Sequence, residues 1–238
     1  MNRYPGQIRG LPTQVGVRPD ARLSAGFLSQ AFTWMFAGLL LTAGIAFVVQ
    51  GSPRLLEAGR TLFLPAILVE LGVVLGISFL INRISSLVAL GLFFAYAALN
   101  GLTIGLIVSF YAQASVAAAF VSAAGMFGAA AVYGAVTHRS LATMGGYLRM
   151  ALVGLIIAML VNFFLQSAAI SYLISIVGVF LFVGLTAWDT QRIARGDLAA
   201  ATGSMEKGAV IGALTLYLDF INLFLFLLRL FGGGGNRR

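Results

Sequence analysis

The chain has 238 residues, 60% of them hydrophobic and 9% charged, with a formal net charge of +8 and no cysteine. A mean hydropathy of +0.99 is too high for one water-soluble globule of this length. Together these figures exclude a soluble domain, a disulfide scaffold, thiolate chemistry and cysteine-ligated metals, and they leave an integral membrane protein.

A hydrocarbon core of about 30 Å needs about 20 apolar residues per helix. Seven such runs follow one another: Phe27–Gln50, Leu62–Ile81, Leu87–Phe110, Ser115–Thr137, Met144–Gln166, Ile170–Thr190 and Gly208–Phe231. They are continuous and joined by short links, without the alternating pattern of barrel strands. The expected fold is therefore an all-α membrane protein with seven transmembrane helices in one domain, residues 27–231. Residues 1–26 are expected to form a flexible cytoplasmic tail and residues 232–238 a short polar one. The N-terminal tail is rich in arginine, as in organelle-targeting segments, but Pro5, Gly6, Gly10, Pro12 and Pro19 break the amphipathic helix such a segment needs.

Arginine and lysine retained at span ends mark the cytoplasmic side. Arg3, Arg9, Arg18 and Arg22 precede span one, Arg83 follows span two, Arg139 follows span four, and Arg192, Arg195 and Lys207 follow span six. The opposite side carries Arg54, Arg60, Arg229, Arg237 and Arg238. The expected orientation is N-terminus in and C-terminus out. Scattered loop arginines suit anionic lipid headgroups. No basic patch is interleaved with exposed aromatics, so nucleic acid is not an expected partner.

Small residues recur at four-residue spacing in Gly72/Gly76, Gly101/Gly105 and Gly208/Gly212, which predicts close helix approach at each pair. Span four, poor in bulk from Ala117 to Ala131, is expected to lie between other helices. Trp34, Tyr111 and Trp188 fall toward span ends and read as headgroup anchors. His138, the single histidine, reads as a solvated loop residue.

Of the seven acids, Asp20, Glu57, Asp197 and Glu206 fall in tails or loops, and Glu70, Asp189 and Asp219 remain inside spans. A charge at the bilayer centre costs roughly 2.5–3.5 kcal/mol on insertion scales, so such residues face a cavity or a partner. Asp189 can pair with Arg192 at i+3. Asp219 has no basic residue within a turn, and Thr215 and Asn222 at i−4 and i+3 give it a polar stripe. The alternative for that stripe is an interhelical hydrogen-bond cluster that only holds the bundle together. Spans six and seven meet at one membrane face, so Asp189 and Asp219 can approach each other. Counted along ideal helices, Asp219 lies about 16 Å deep and Asp189 about 6 Å, so contact requires helix seven to start later or to tilt. Two carboxylates that meet cannot both ionise cheaply and share a proton, which makes a pH switch. Hard oxygen ligands favour calcium over a transition metal.

At these residues the chain resembles the BAX inhibitor motif transmembrane family, also called the Bax inhibitor-one family, in a bacterial-type form. The resemblance is carried by Gly184-Leu-Thr-Ala-Trp-Asp189-Thr-Gln-Arg-Ile193 and Leu216-Tyr-Leu-Asp219-Phe-Ile-Asn222. Asn100-Gly-Leu-Thr-Ile-Gly105, Gly125-Met-Phe-Gly128 and Tyr133-Gly134 support it. It implies a seven-helix bundle with helix seven near the centre, and a pH-sensitive calcium leak with Asp189 and Asp219 as the di-aspartyl latch and calcium contacts. It also implies Glu70 as an acid of the ion pathway and Arg83 as an ionic partner near the cytoplasmic end. The family more often has Tyr where this chain has Trp188, which removes a hydroxyl beside Asp189.

Calcium, protons and membrane lipids are thus the expected partners, with no cofactor and no enzymatic activity. Two other readings compete. A non-conducting regulator of other membrane proteins needs the bundle but leaves the intramembrane acids as an unexplained cost. An intramembrane aspartyl protease also needs two facing carboxylates, but Leu216-Tyr-Leu puts bulk where a substrate backbone would run. The compact chain, without a lipidation motif, suggests a bacterial plasma (inner) membrane.

Overall fold

The computed structural model describes residues 21–232, so the tail arginines Arg3, Arg9, Arg18, Arg237 and Arg238 lie outside the described residues. The chain forms α1 (Ala21–Gln50), α2 (Pro53–Leu80), α3 (Ser86–Val108), α4 (Gln113–Val136), α5 (Ala142–Leu165), α6 (Ala168–Ala194), α7 (Asp197–Thr202) and α8 (Met205–Gly232). Seven of these are long and apolar enough to cross a membrane. The spans alternate in direction. The end of the bundle where α1 starts, called the near end, therefore also holds the α2–α3 turn, the α4–α5 link and α7.

Local chemistry sets most boundaries. Ser52, Ser85 and Ser167 each accept a hydrogen bond from the backbone N–H three residues on, capping α2, α3 and α6. The Ser52-Pro53 pair starts α2 well before the apolar run at Leu62, since proline at the first helical position loses no needed N–H. Arg54, Glu57 and Arg60 therefore lie on the first turns of a helix instead of in a loop. α7, which hydropathy does not reveal, lies between Gly196 (φ 76°) and Gly203 (φ 64°), left-handed positions that suit glycine.

α8 is the axis of the bundle. Of its most apolar window 72% is buried, against 11–44% for the other spans, and it packs against α1, α3, α4 and α6. α2 rests on α1 and α3, and α5 rests on α6, so both are peripheral. α4 packs against α6 and α8, while its opposite face leaves Val121, Val132 and Val136 exposed.

The glycine pairs divide. A methyl on Gly101 would sit 2.9 Å from the Thr42 carbonyl oxygen, and one on Gly105 would sit 3.0 Å from the Ala46 backbone, so α1 and α3 do touch there. Gly208 and Gly212 likewise let α8 approach α7 and Ile193 of α6. Gly72 and Gly76 face open space and no helix, which corrects the packing expected of that pair. Their helix is peripheral, so the small side chains have nothing to admit.

Candidate functional site: two carboxylates between α6 and α8

Asp189 lies on the last turns of α6, and Asp219 lies in the middle of α8. Each is 4% exposed. Gly212 sits against Ile193, and Gly178 against the Phe226 ring. That antiparallel register sets Asp219 level with Leu185 and Thr186, about one turn, or roughly 5 Å, from the level of Asp189. The mismatch of about 10 Å expected from counting residues is thereby about halved without a late start of the helix. α8 begins early, and its first turns run past the end of α6 beside α7, where Gly208 meets Ala199.

The two carboxylates are unequally served. Asp189 Oδ1 accepts from Arg192 Nη1 at 3.0 Å, the i+3 ion pair read from the sequence. Asp219 Oδ2 is buried without any hydrogen-bond partner. No hydrogen bond joins the two carboxylates among the described residues. Thr190, fully buried next to Asp189 in sequence, also has a hydroxyl without a partner. The polar stripe beside Asp219 does not serve it. Thr215 donates to Ile211 O at 2.9 Å and Asn222 donates to Leu218 O at 2.8 Å, each back to its own helix.

Trp188 is not a headgroup anchor. It is 7% exposed and packed onto Gly145 of α5, where a methyl would overlap the indole. The guanidinium carbons of Arg192 and Arg149 lie 4.5 and 5.2 Å from its ring centre, a cation–π arrangement. Its burial requires a glycine on another helix, which no local sequence rule reveals. Arg149 lies within the Met144–Gln166 run, where a basic residue carries an insertion cost comparable to that of the acids, a sequence signal outside the acidic inventory. Gln191 carries no such signal in the sequence. Its Oε1 accepts from Leu141 N and its Nε2 donates to Arg139 O, both at 2.8 Å. It thereby ties α6 to the start of α5, which has no side-chain cap of its own.

Glu70 belongs to a different cluster. Its carboxylate accepts from the Thr103 hydroxyl, and from Asn100 Nδ2 at 3.3 Å. Asn100 also donates to the Tyr96 hydroxyl at 3.2 Å, and the Tyr96 ring meets that of Tyr217 on α8 edge-on. The Tyr217 hydroxyl in turn shares a 2.6 Å hydrogen bond with Thr42 of α1. Asn100 and Thr103 lie one turn apart on α3, a pairing as legible as the stripe beside Asp219. Arg83 is exposed in the α2–α3 turn and makes no ion pair among the described residues.

This second cluster carries a prediction. Glu70→Gln is expected to leave the thermal midpoint nearly unchanged, because Asn100 Oδ1 is buried without a partner and a flipped amide can accept from the new side chain. Thr103→Val leaves Glu70 short of a donor and is expected to cost about 1–3 kcal/mol. Thermal melts of both variants in detergent check this. Equal losses would mean that the Asn100 amide cannot turn.

The chemistry available between α6 and α8 is proton sharing and weak cation contact. Calcium takes 6–8 oxygens, and among the described residues no three acidic, histidine or cysteine side chains cluster. Two carboxylates are hard donors, but too few for a closed calcium cage.

Comparison with known proteins places this geometry in context. Residues 24–237 match the family described as "Inhibitor of apoptosis-promoting Bax1". The chain is 44% identical over 228 residues to the inner membrane protein YbhL of Escherichia coli K12, covering 93% of this chain and 96% of that protein. A protein of Deinococcus radiodurans is 44% identical over 213 residues, covering 89% and 90%. One from Borreliella burgdorferi is 43% identical over 211 residues, covering 87% and 91%.

Proposed function

This chain belongs to the Bax1-I family of membrane proteins, and from that premise we propose that it is a calcium leak gated by protonation of the Asp189–Asp219 pair. The observation that carries the reading is the buried Asp219 carboxylate on the central helix, about one turn from the level of Asp189 and with Oδ2 unpartnered. Asp189 has Arg192 to neutralise it. Asp219 has no such group, so its charge is removed by a proton or balanced by a cation. With a proton shared, α6 stays against α8. Without it, two negative charges repel in a medium of low dielectric and the helices part or admit a cation. Acid therefore closes the path, and flux rises with pH.

A cavity at the far end stops short of the pair, and neither carboxylate lines it. Its volume of about 460 Å³ lies between α1, α3, α4 and α8, lined by residues from Gln50 and Gln113 inward to Thr42 and Phe220. Its floor is aromatic. Phe220, the residue after Asp219, meets Phe120 and Phe127 edge-on at 5.8 and 5.5 Å. Parting α6 from α8 would disturb that plug. Glu70 lies in its own cluster, hydrogen-bonded to Asn100 and Thr103. The peptidase reading draws little support, because fully buried Leu216 and Tyr217 fill the turn before Asp219.

The test is calcium influx into dye-loaded liposomes at about pH 6 and about pH 8. The reading requires influx that is larger at the higher pH. No influx at either pH from a folded bundle would sink it and favour a non-conducting regulator.

Placement in a bacterial plasma membrane follows the Escherichia coli relative, and the arginines point the near end to the cytoplasm. The chain lacks cysteine, so single cysteines report topology directly. An impermeant maleimide is expected to label Gly51→Cys from outside the membrane, and His138→Cys only after permeabilisation. The reverse pattern would invert the orientation.

A further inference from the structure

We propose that the groove between α5 and α6 at the near end binds the phosphate of an anionic lipid headgroup, held by Arg149 and Arg195 beside Trp188. A cavity of about 200 Å³ opens there, lined by Arg149, Trp188, Gln191, Arg192, Arg195 and Asp197 among others. Three guanidiniums converge on it. Only Arg192 has a carboxylate within ion-pair distance among the described residues. Arg149 spends one N–H on Gly145 O at 3.2 Å, and Arg195 spends one on Ser140 Oγ at 3.2 Å. The remaining N–H edges are free to fork onto a phosphate, the geometry in which arginine surpasses lysine. Asp197 also lines the cavity but pairs with none of the three.

The groove faces lipid because α5 packs on α6 and its remaining surface is uncovered. Arg149 is exposed about 10 Å along α5 from its start, where a lone cation beside hydrocarbon is costly unless an anion meets it. Stacking on Trp188 holds its plane and leaves the outer edge available. The cytoplasmic leaflet, which the orientation proposed above assigns to this end, carries the anionic lipids. Free phosphate offers the same chemistry, so the sources are separated by experiment.

The full chain in detergent is titrated with phosphatidylglycerol, phosphatidylcholine or inorganic phosphate and followed by native mass spectrometry. Phosphatidylglycerol is expected to bind roughly tenfold more tightly than phosphatidylcholine, and Arg149→Gln or Arg195→Gln to weaken it by about tenfold. Arg60→Gln, at the far end, is expected to change nothing. Arg195 is an exposed residue after α6, so its variant carries the test even if Arg149→Gln fails to fold. Equal binding of both lipids, or unchanged binding in Arg195→Gln, would overturn the site. Displacement of phosphatidylglycerol by an equal concentration of inorganic phosphate would overturn the lipid assignment. None of these readouts depends on ion flux or orientation.

Discussion

Calcium influx through Asp219→Asn is expected to be the same at about pH 6 and about pH 8, whereas a single controlling protonation in the parent can change flux by up to roughly tenfold per pH unit. The amide has nearly the shape of the carboxyl and no charge to lose, so it mimics the protonated side chain at every pH. Flux in the variant should therefore stay at the low, acid-like level of the parent. A stability measurement separates this switch from a structural role. Asp219 Oδ2 has no partner, so replacing the carboxylate breaks no observed hydrogen bond and removes the cost of burying a charge. The thermal midpoint of Asp219→Asn is expected to match or exceed that of the parent. If Asp219 were interhelical glue, the same variant would lose about 1–3 kcal/mol. A lower midpoint together with preserved pH dependence would remove Asp219 from the mechanism.

Gly134→Ala is expected to be the most damaging small substitution in the bundle. A methyl there would overlap the backbone carbonyl of Ala187, two residues before Asp189. Backbone cannot swing aside as a flexible side chain does, so α4 must move off α6. Overpacking of this kind costs about 1–3 kcal/mol and sometimes more. The control lies on the same helix. Gly128 faces open space, and Gly128→Ala is expected to be neutral or stabilising by up to about 1 kcal/mol through helix propensity. Thermal melts of the two variants check the contrast, and equal midpoints would show that α4 and α6 are not in contact at Gly134.

Neither glycine can be ranked from sequence. Gly134 and Gly128 lie on the same helix poor in bulk, yet one meets a carbonyl and the other meets nothing. The expectation for Gly72 and Gly76 failed for the same reason. Spacing says that two small residues share a helix face, but not whether a neighbour occupies that face. Trp188 errs in the opposite direction. Its position near a span end suggested an anchor, while Gly145 on another helix makes a slot that buries it. α2 begins before its apolar run, because Ser52-Pro53 marks its start while Arg54, Glu57 and Arg60 lower the hydropathy of its first turns.

Seven spans, the family, the intramembrane acids and the Asp189–Arg192 pair are all legible along the chain. The first and third are composition measured against the bilayer, the second rests on local motifs, and the last is a contact within one turn. Helix packing, by contrast, sets Asp219 within about one turn of the level of Asp189, joins Glu70 to Asn100 and Thr103, and places Arg149 and Arg192 against Trp188. Those outcomes depend on the register between helices. Register is set by how particular side chains fill the space between backbones, and no pattern along a single helix contains that information.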